Sequence, residues 1–485
     1  MKILNSTGKV SVILLIILFT FSACQSEPAP TPTPEPAPQE TPAPESEPTP
    51  APEPTPEPEP EPALPSKTED KPAPPPDTTP PPAITGLIAA DAYDGRVNLW
   101  WDKSTAADFA RYNIHMSQSE IADIGGMEPV YEITDIATNT YQVTGLEEGT
   151  KYCFAVTVID KSGNENTSIA SVSATPTPMP RGTIDSDISV DIYKADKAWA
   201  GTTLLADNHN RGRPRIIEVN MLGEIVWEYL VPQNMERASD VELLPDNHIL
   251  FTAVNGVYEI NRSGEIIWSY LTDKISHDAD RLPNGNTIFV WGFPDQIDDA
   301  QVKEVNPEGE IVWEWYCRDH FYKPPYRDIY EDGWTHTNAV TRMTNGNTLI
   351  SLRNFDMVAE VNPEGAVVRI IGEGILLGIH DPEVLPNGNI LGSLPAVTNP
   401  AHAIEIDPND DAVVWQFRWP RELMPEYARD ANRLPNSNTL IIGLMAIIEV
   451  TPEGEIVWQL TQGVALDPST ARGLGFYKAE RIGSE

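Results

Sequence analysis

Cysteines, basic side chains and long apolar runs are all scarce in this 485-residue chain. Its three cysteines are Cys24, Cys153 and Cys317. Cys153 and Cys317 fall in what read as different domains, so no disulfide framework is expected. Lys and Arg total 33 against 72 Asp and Glu, a formal net charge of -39. A surface so acidic repels polyanions, and nucleic acid is not an expected partner. Any anion must then be held by local Arg and His. The N-terminal apolar run, Val10 to Phe21, is too short for a comfortable membrane span.

Proline is plentiful, and it crowds into one stretch. Residues 25–82 are mostly Pro, Glu, Ala and Thr. Such a segment cannot bury a core and stays extended as polyproline II and charged coil. At about 3.1 Å per residue this disordered linker reaches on the order of 180 Å. Residues 1–24 read as a signal peptide, with Lys2 and Lys9 ahead of the apolar run. Phe21-Ser22-Ala23-Cys24 resembles a bacterial lipobox. The resemblance implies cleavage before Cys24, a lipid on its sulfur and an extracytoplasmic protein anchored to the cell membrane.

Residues 83–178 predict a β-sandwich. Val97-Asn98-Leu99-Trp100-Trp101 alternates toward a buried tryptophan. Tyr112, Ile114 and Met116 alternate next, and Phe154, Val156 and Val158 share one strand face. The segment resembles a fibronectin type III domain, with Leu146 to Tyr152 similar to that family's tyrosine corner. His115 reads as a surface strand residue. The domain is expected to act as a spacer or docking module, without chemistry.

Residues 179–485 repeat with a period of roughly 38 to 60 residues, the range of propeller blades. Gly-Glu-Ile-Val-Trp and its variants recur at Trp227, Trp268, Trp313, Arg369, Trp415 and Trp458. Six copies predict six blades, with Asn-Gly and Glu-Gly hairpin turns between the strands. The C-terminal Phe476 to Glu480 reads as a strand that helps close the ring. The fold class is therefore all-β: a six-bladed β-propeller behind a β-sandwich and a disordered tether.

Ser239, His277, Asn338, His380 and Arg429 each lie five residues before the same repeat landmark. They should start the innermost strands at one mouth of the central channel. His336 lies two residues before Asn338 and is expected on the same face of an extended strand. Arg353, ending the neighbouring strand, should approach His336 and Asn338 across the hairpin. The long Tyr316 to Thr335 connection carries Phe321, Tyr322, Tyr326, Tyr330 and Trp334. A second, Arg418 to Arg429, carries Trp419 and Tyr427. Loops of this length are often functional.

Three imidazoles, an amide and a guanidinium around one mouth allow several chemistries. They can hold a tetrahedral anion while one histidine attacks it. They can hold zinc. They can also be structural hydrogen-bonding residues of a surface-tethered adhesion propeller. A quinone-dependent dehydrogenase shares Trp-bearing repeats of this kind, though its mouth is richer in Asp and Glu.

The repeats, Trp334-Thr335-His336-Thr337-Asn338 and Ile350-Ser351-Leu352-Arg353 together resemble the bacterial arylsulfotransferases. The resemblance implies transfer of a sulfuryl group from an aryl sulfate donor to a phenolic acceptor, by a ping-pong route through a sulfated histidine. It implies His380 as the nucleophile, and His277, His336, Asn338 and Arg353 around the sulfate oxygens. Arg353 and the other two histidines are expected to balance the oxygens' charge, and aromatics of the Tyr316 to Thr335 loop to stack on the aryl groups. No cofactor and no metal is implied.

Overall fold

The computed structural model describes residues 77–395, 402–419, 428–463 and 474–483. The expected signal peptide, Cys24, nearly all of the tether, and Tyr427 lie outside these residues. Among them, no helix is long and apolar enough to cross a membrane.

The first domain pairs two antiparallel sheets. One holds Ile88–Ala92, Arg96–Trp100 and Thr140–Val143; the other holds Tyr131–Ile133, Phe109–Ser117, Tyr152–Asp160 and Val172–Ala174. Leu99, Trp101, Tyr112, Ile114, Phe154 and Val158 fill the core between them. The Glu147 N–H donates to the Tyr152 hydroxyl at 3.1 Å, which makes the expected tyrosine corner. His115 is a correction: it is buried, not on the surface. It sits opposite Ala155 on the second face of its sheet. Ile121 and Ile124 cover that face against Cys153 and Ala155, and the imidazole lies 3.4 Å from the Thr157 hydroxyl.

This sandwich docks on the second domain through a buried arginine. Arg96 donates to the Ala198 carbonyl at 2.9 Å and to the Tyr193 hydroxyl at 2.8 Å. Trp100 meets Trp199 edge to face at 6.1 Å.

The second domain is a β-propeller of six antiparallel sheets. Their innermost strands, in order from the first sheet, are Phe476–Ile482, Ala238–Leu243, Ile275–Arg281, Thr337–Arg342, His380–Val384 and Ala428–Arg433. Each touches the next around a ring. Phe476–Ile482, from the C-terminus, pairs with Thr202–Asp207 inside the first sheet. It also touches the second and sixth sheets, and so closes the ring as its sequence predicts. Ile188–Tyr193, from the other end of the domain, adds a fifth strand outside the sixth sheet. Both ends of the domain thus lock into sheets completed by distant chain.

The repeated residues sew neighbouring sheets together. The indole N–H of Trp227 donates to the Arg262 carbonyl of the next sheet at 2.8 Å. Trp268, Trp313, Trp415 and Trp458 do the same to Pro307, Pro363, Pro452 and Met221. Beneath them, Arg281 reaches back to Glu259, Arg342 to Glu304, Arg433 to Glu405 and Arg481 to Glu449. Each of these guanidiniums also lies over the earlier sheet's Trp, between 4.6 and 5.5 Å from the ring centre. The fourth sheet has Arg369 where the others have Trp, and it pairs with its own Glu360 instead.

Candidate active site

The mouth residues are aimed by a defect repeated in every inner strand. Pairing with the second strand slips between Ala238 and Asp240, Ile275 and Ala279, Thr337 and Val340, His380 and Glu383, Ala428 and Asp430, and Phe476 and Ala479. A bulge leaves its residues outside the ladder and turns their side chains. Here the slips carry Ser239, His277, Arg429 and Tyr477 out of the ladder and into one cavity wall, while His380 stays paired with Ser393 at the edge of its slip. The sixth pair is Tyr477-Lys478, which stands where the other sheets have Ser239-Asp240, His277-Asp278, His380-Asp381 and Arg429-Asp430.

A cavity of about 530 Å³ opens above this level. His277, His336, His380 and Arg353 line it together, with Ser239, Arg429, Tyr477, Phe293, Arg237, Asp273 and Asp332 among its other walls. The His277 ring centre lies 5.4 Å from that of His336 and 6.4 Å from that of His380. Among the described residues, the groups close enough to share one ion are Asp246, His248 and Glu259, and Asp77, Asp108 and Asp160, not the cavity histidines.

Two backbone departures shape the site. His336 is not in an extended strand as expected; its φ is +47° and the strand begins at Thr337. Asp381, next to His380, has the same φ. Non-glycine residues in the left-handed region are strained and persist only where their surroundings hold them. For His336 the holder is Asp295. Its carboxylate accepts from the His336 N–H at 3.0 Å, from the Thr335 N–H at 3.0 Å and from the Thr335 hydroxyl at 2.8 Å.

Asn338 departs from its expected place. It is buried and does not line the cavity, and its side-chain N–H donates to the Ile379 carbonyl at 3.1 Å. It therefore fixes the backbone just before His380 instead of facing the cavity. Arg353 begins a short 3₁₀ turn after its strand, bonded to Asn354 at 2.8 Å with Glu331 3.9 Å away. The loop aromatics also differ from expectation. Phe321, Tyr326 and Trp334 pack on Phe355 to make a core under their own loop. The aromatic walls of the cavity are Phe293, which meets His277 and His336 edge-on at 5.1 and 5.0 Å, and Tyr477. Trp419 of the other long loop is buried against Leu385 and Ala428.

Protein encloses the imidazoles on all sides but the cavity, and this loss of water disfavours their charged forms. Burial first, then neighbouring His336 and His380, hold His277 well below its ordinary range. Burial and then Arg353 do the same to His380. Burial and Arg353 bring His336 down to about 4. All three are neutral near pH 7. The expected charge balance therefore shifts to Arg353, and the histidines act as neutral hydrogen-bonding groups or nucleophiles. His336 Nδ1 faces the Glu331 carbonyl at 3.3 Å and must carry the proton, which leaves a lone pair on Nε2. His277 Nδ1 is held by the Ser276 hydroxyl. Among the described residues, no hydrogen bond holds the His380 ring.

Below the histidines, Lys478 stands among the carboxylates of Asp240, Asp278 and Asp381. Asp240 and Asp278 also accept from the Ala279 and Val340 N–H groups of the next sheets, which fixes the bulges. Deeper still lie Glu242, Asp280, Glu383 and Glu480. Burial pushes Asp278 and Glu383 up to about 7 and Glu242 up to about 8. These carboxyls hold protons more tightly in the folded chain than in the unfolded one. Their contribution to stability is full below the ordinary carboxylate range and is lost as pH rises through 7 to 8. The thermal midpoint is therefore expected to fall from pH 6 to pH 9. Glu242→Gln, neutral at every pH, should flatten that fall and raise the midpoint at pH 9. A midpoint that rises with pH would contradict this.

Residues 190–376 match the family model of the arylsulfotransferases, and residues 80–174 that of the fibronectin type III domain. The chain thus carries an arylsulfotransferase domain behind a fibronectin type III domain, and the match supports a sulfotransferase activity in general. The first span includes His277, His336, Asn338 and Arg353, and ends just before His380. Among solved structures, a protein of unknown function from Bacteroides caccae is 19% identical, with a TM-score of 0.45 over 58% of this chain and 99% of that one. Virginiamycin B lyase from Staphylococcus aureus is 13% identical, with a TM-score of 0.38 over 56% of this chain and 86% of that one. A fibronectin-type-III-like protein from Clostridium thermocellum is 25% identical, with a TM-score of 0.17 over 21% of this chain and 98% of that one. No curated protein matches the chain significantly.

Proposed function

We propose that the protein moves a sulfuryl group from an aryl sulfate to a phenolic acceptor by way of a sulfated histidine, His380. The observation that carries this reading is the cavity itself: three neutral imidazoles and Arg353 converge at the mouth of the arylsulfotransferase domain. In the first half-reaction a lone pair on His380 attacks sulfur. The N–S bond forms as the S–O bond to the ring breaks, and the phenolate leaves. In the second, a phenol oxygen attacks sulfur, the N–S bond breaks, and the phenol proton passes to solvent. Arg353 offers a fork of donors to the sulfuryl oxygens as their charge shifts. Phe293 and Tyr477 give the aryl ring apolar faces.

Asn338 and Asp295 act behind this layer, on the backbones that carry His380 and His336. A second reading has His336 as nucleophile, because its Nδ1 proton already points at Glu331 and leaves Nε2 free to attack. The test of the activity is transfer from 4-nitrophenyl sulfate to phenol by purified protein. Parallel lines in double-reciprocal plots support the two-step route. Failure to transfer would leave the adhesion module standing, and a quinone absorbance band would point to the dehydrogenase.

The same proposal makes the protein extracytoplasmic, held on the outer face or periplasmic side of a bacterial membrane by lipid on Cys24 and lifted by the linker of residues 25–82. Cys24→Ala is expected to move the protein from the membrane fraction to the soluble or unprocessed fraction. Native protein that is soluble, unlipidated and cleaved elsewhere, read by fractionation and mass, would reject the anchor.

A further inference from the structure

Tyr477 stands on the cavity wall at the point of its inner strand where other sheets carry Ser239, His277 and Arg429. We propose that its hydroxyl is a further catalytic group: it gives its proton to the ring oxygen of the departing aryl group and takes one back from the acceptor phenol. This role rests on the sulfuryl transfer proposed above.

Three observations carry it. The first is the state of the hydroxyl. Tyr477 is buried, yet its hydroxyl makes no hydrogen bond among the described residues and is not one of the polar atoms sealed inside the protein. It therefore opens on the cavity that the residue lines. A tyrosine this enclosed usually has a partner for its O–H, and here a ligand in the cavity is left to supply one. The second is its place in the ring. The inner strands touch in order, so the first sheet, with Tyr477, stands opposite the fourth, with His336 and Arg353. A sulfuryl group that faces Arg353 and is attacked in line from His380 on the fifth sheet releases its ring oxygen away from that sheet, toward the second and first. Tyr477 flanks this path, its ring centre 6.1 Å from that of His277. The third is the supply of protons. Breaking the S–O bond puts negative charge on the ring oxygen, and the three neutral imidazoles have no acidic proton to give. Ser239 is an alcohol, a far weaker acid than a phenol, and Asp273 and Asp332 are exposed to water. Burial holds the Tyr477 phenol above its ordinary range, while Arg429, Arg237 and Lys478 favour its phenolate and Asp240 opposes it. It keeps its proton near pH 7 and gives it up only to an oxygen of similar basicity.

The proton balance closes over the two half-reactions. In the first, the N–S bond to His380 forms, the S–O bond breaks, and the Tyr477 proton moves to the ring oxygen, so a neutral phenol leaves and Tyr477 is a phenolate. In the second, the acceptor gives its proton to Tyr477 as its oxygen bonds to sulfur and the N–S bond breaks. A more acidic phenol, such as 4-nitrophenol, needs no proton and leaves as the phenolate.

Full-length protein and Tyr477→Phe would be compared on phenyl sulfate and 4-nitrophenyl sulfate, with 4-methylphenol as acceptor. On a two-step route, kcat/KM for the donor reports the first half-reaction alone. The substitution is expected to lower it about a hundredfold or more for phenyl sulfate and less than about tenfold for 4-nitrophenyl sulfate. Phe keeps the ring, so a residue that only packs the aryl group would affect both donors alike. In wild type, a solvent deuterium isotope effect on the same quantity is expected for phenyl sulfate and not for 4-nitrophenyl sulfate. Equal losses for the two donors, no loss, or no isotope effect with phenyl sulfate would overturn the role of the hydroxyl and leave the transferase reading standing. Wild type that transfers from neither donor would end both.

Discussion

His380→Ala is expected to reduce turnover of an aryl sulfate by at least about three orders of magnitude, since removing a covalent nucleophile leaves only what binding and charge stabilisation supply. The same substitution should leave the thermal midpoint unchanged or slightly raised. The His380 ring makes no hydrogen bond among the described residues, so its removal orphans no partner. It also removes a group whose neutral form is enforced by burial and by Arg353, His336, Arg429 and Lys478. Steady-state kinetics beside circular dichroism would check both halves. Turnover like wild type would move the nucleophile to His336 or His277.

Arg353→Lys should cost one to two decades in kcat, with a smaller change in KM. The guanidinium is the cation nearest the histidine half of the cavity, and the three imidazoles are neutral, so the sulfuryl charge falls mainly to it. A planar fork can hold two oxygens at once, whereas a lysine is a point charge on a flexible stem. One lost charge-assisted bond is worth roughly 1.5 to 3 kcal/mol. If the bond tightens as charge shifts in the transition state, the loss appears in kcat. Unchanged kcat and KM would mean that Arg353 does not meet the sulfuryl group.

Much of the propeller was legible because its sequence repeats. Five inner strands shared a landmark five residues after Ser239, His277, Asn338, His380 and Arg429, and that spacing fixes a level in a ring. The sixth, Tyr477-Lys478, lies on the last strand, which has no Leu-Pro-Asn-Gly-Asn after it. Counting from the bulge residues of the other sheets would have found it. Periodicity assigns a level but not a dihedral angle, so the left-handed turn at His336 and the turn of Asn338 toward the Ile379 carbonyl were hidden. The loop aromatics misled because Phe321, Tyr326 and Trp334 must bury apolar surface somewhere, and Phe355 was nearer than the cavity. His115 misled for a similar reason: strand alternation cannot tell that a distant Ile121 and Ile124 cover the second face. The neutrality of the histidines is a property of enclosure, which no linear pattern encodes.

Covalent chemistry at a histidine is the central claim, and it can be weighed directly. Full-length protein would be incubated with 4-nitrophenyl sulfate and no acceptor, then examined by intact mass and by peptide mapping under neutral conditions. A gain of one sulfuryl group on the peptide bearing His380, discharged on adding phenol and absent in His380→Ala, is the predicted result. A sulfuryl group on His336 would shift the nucleophile to the other wall of the cavity, and no covalent gain during continuing transfer would contradict the sulfated-histidine route altogether.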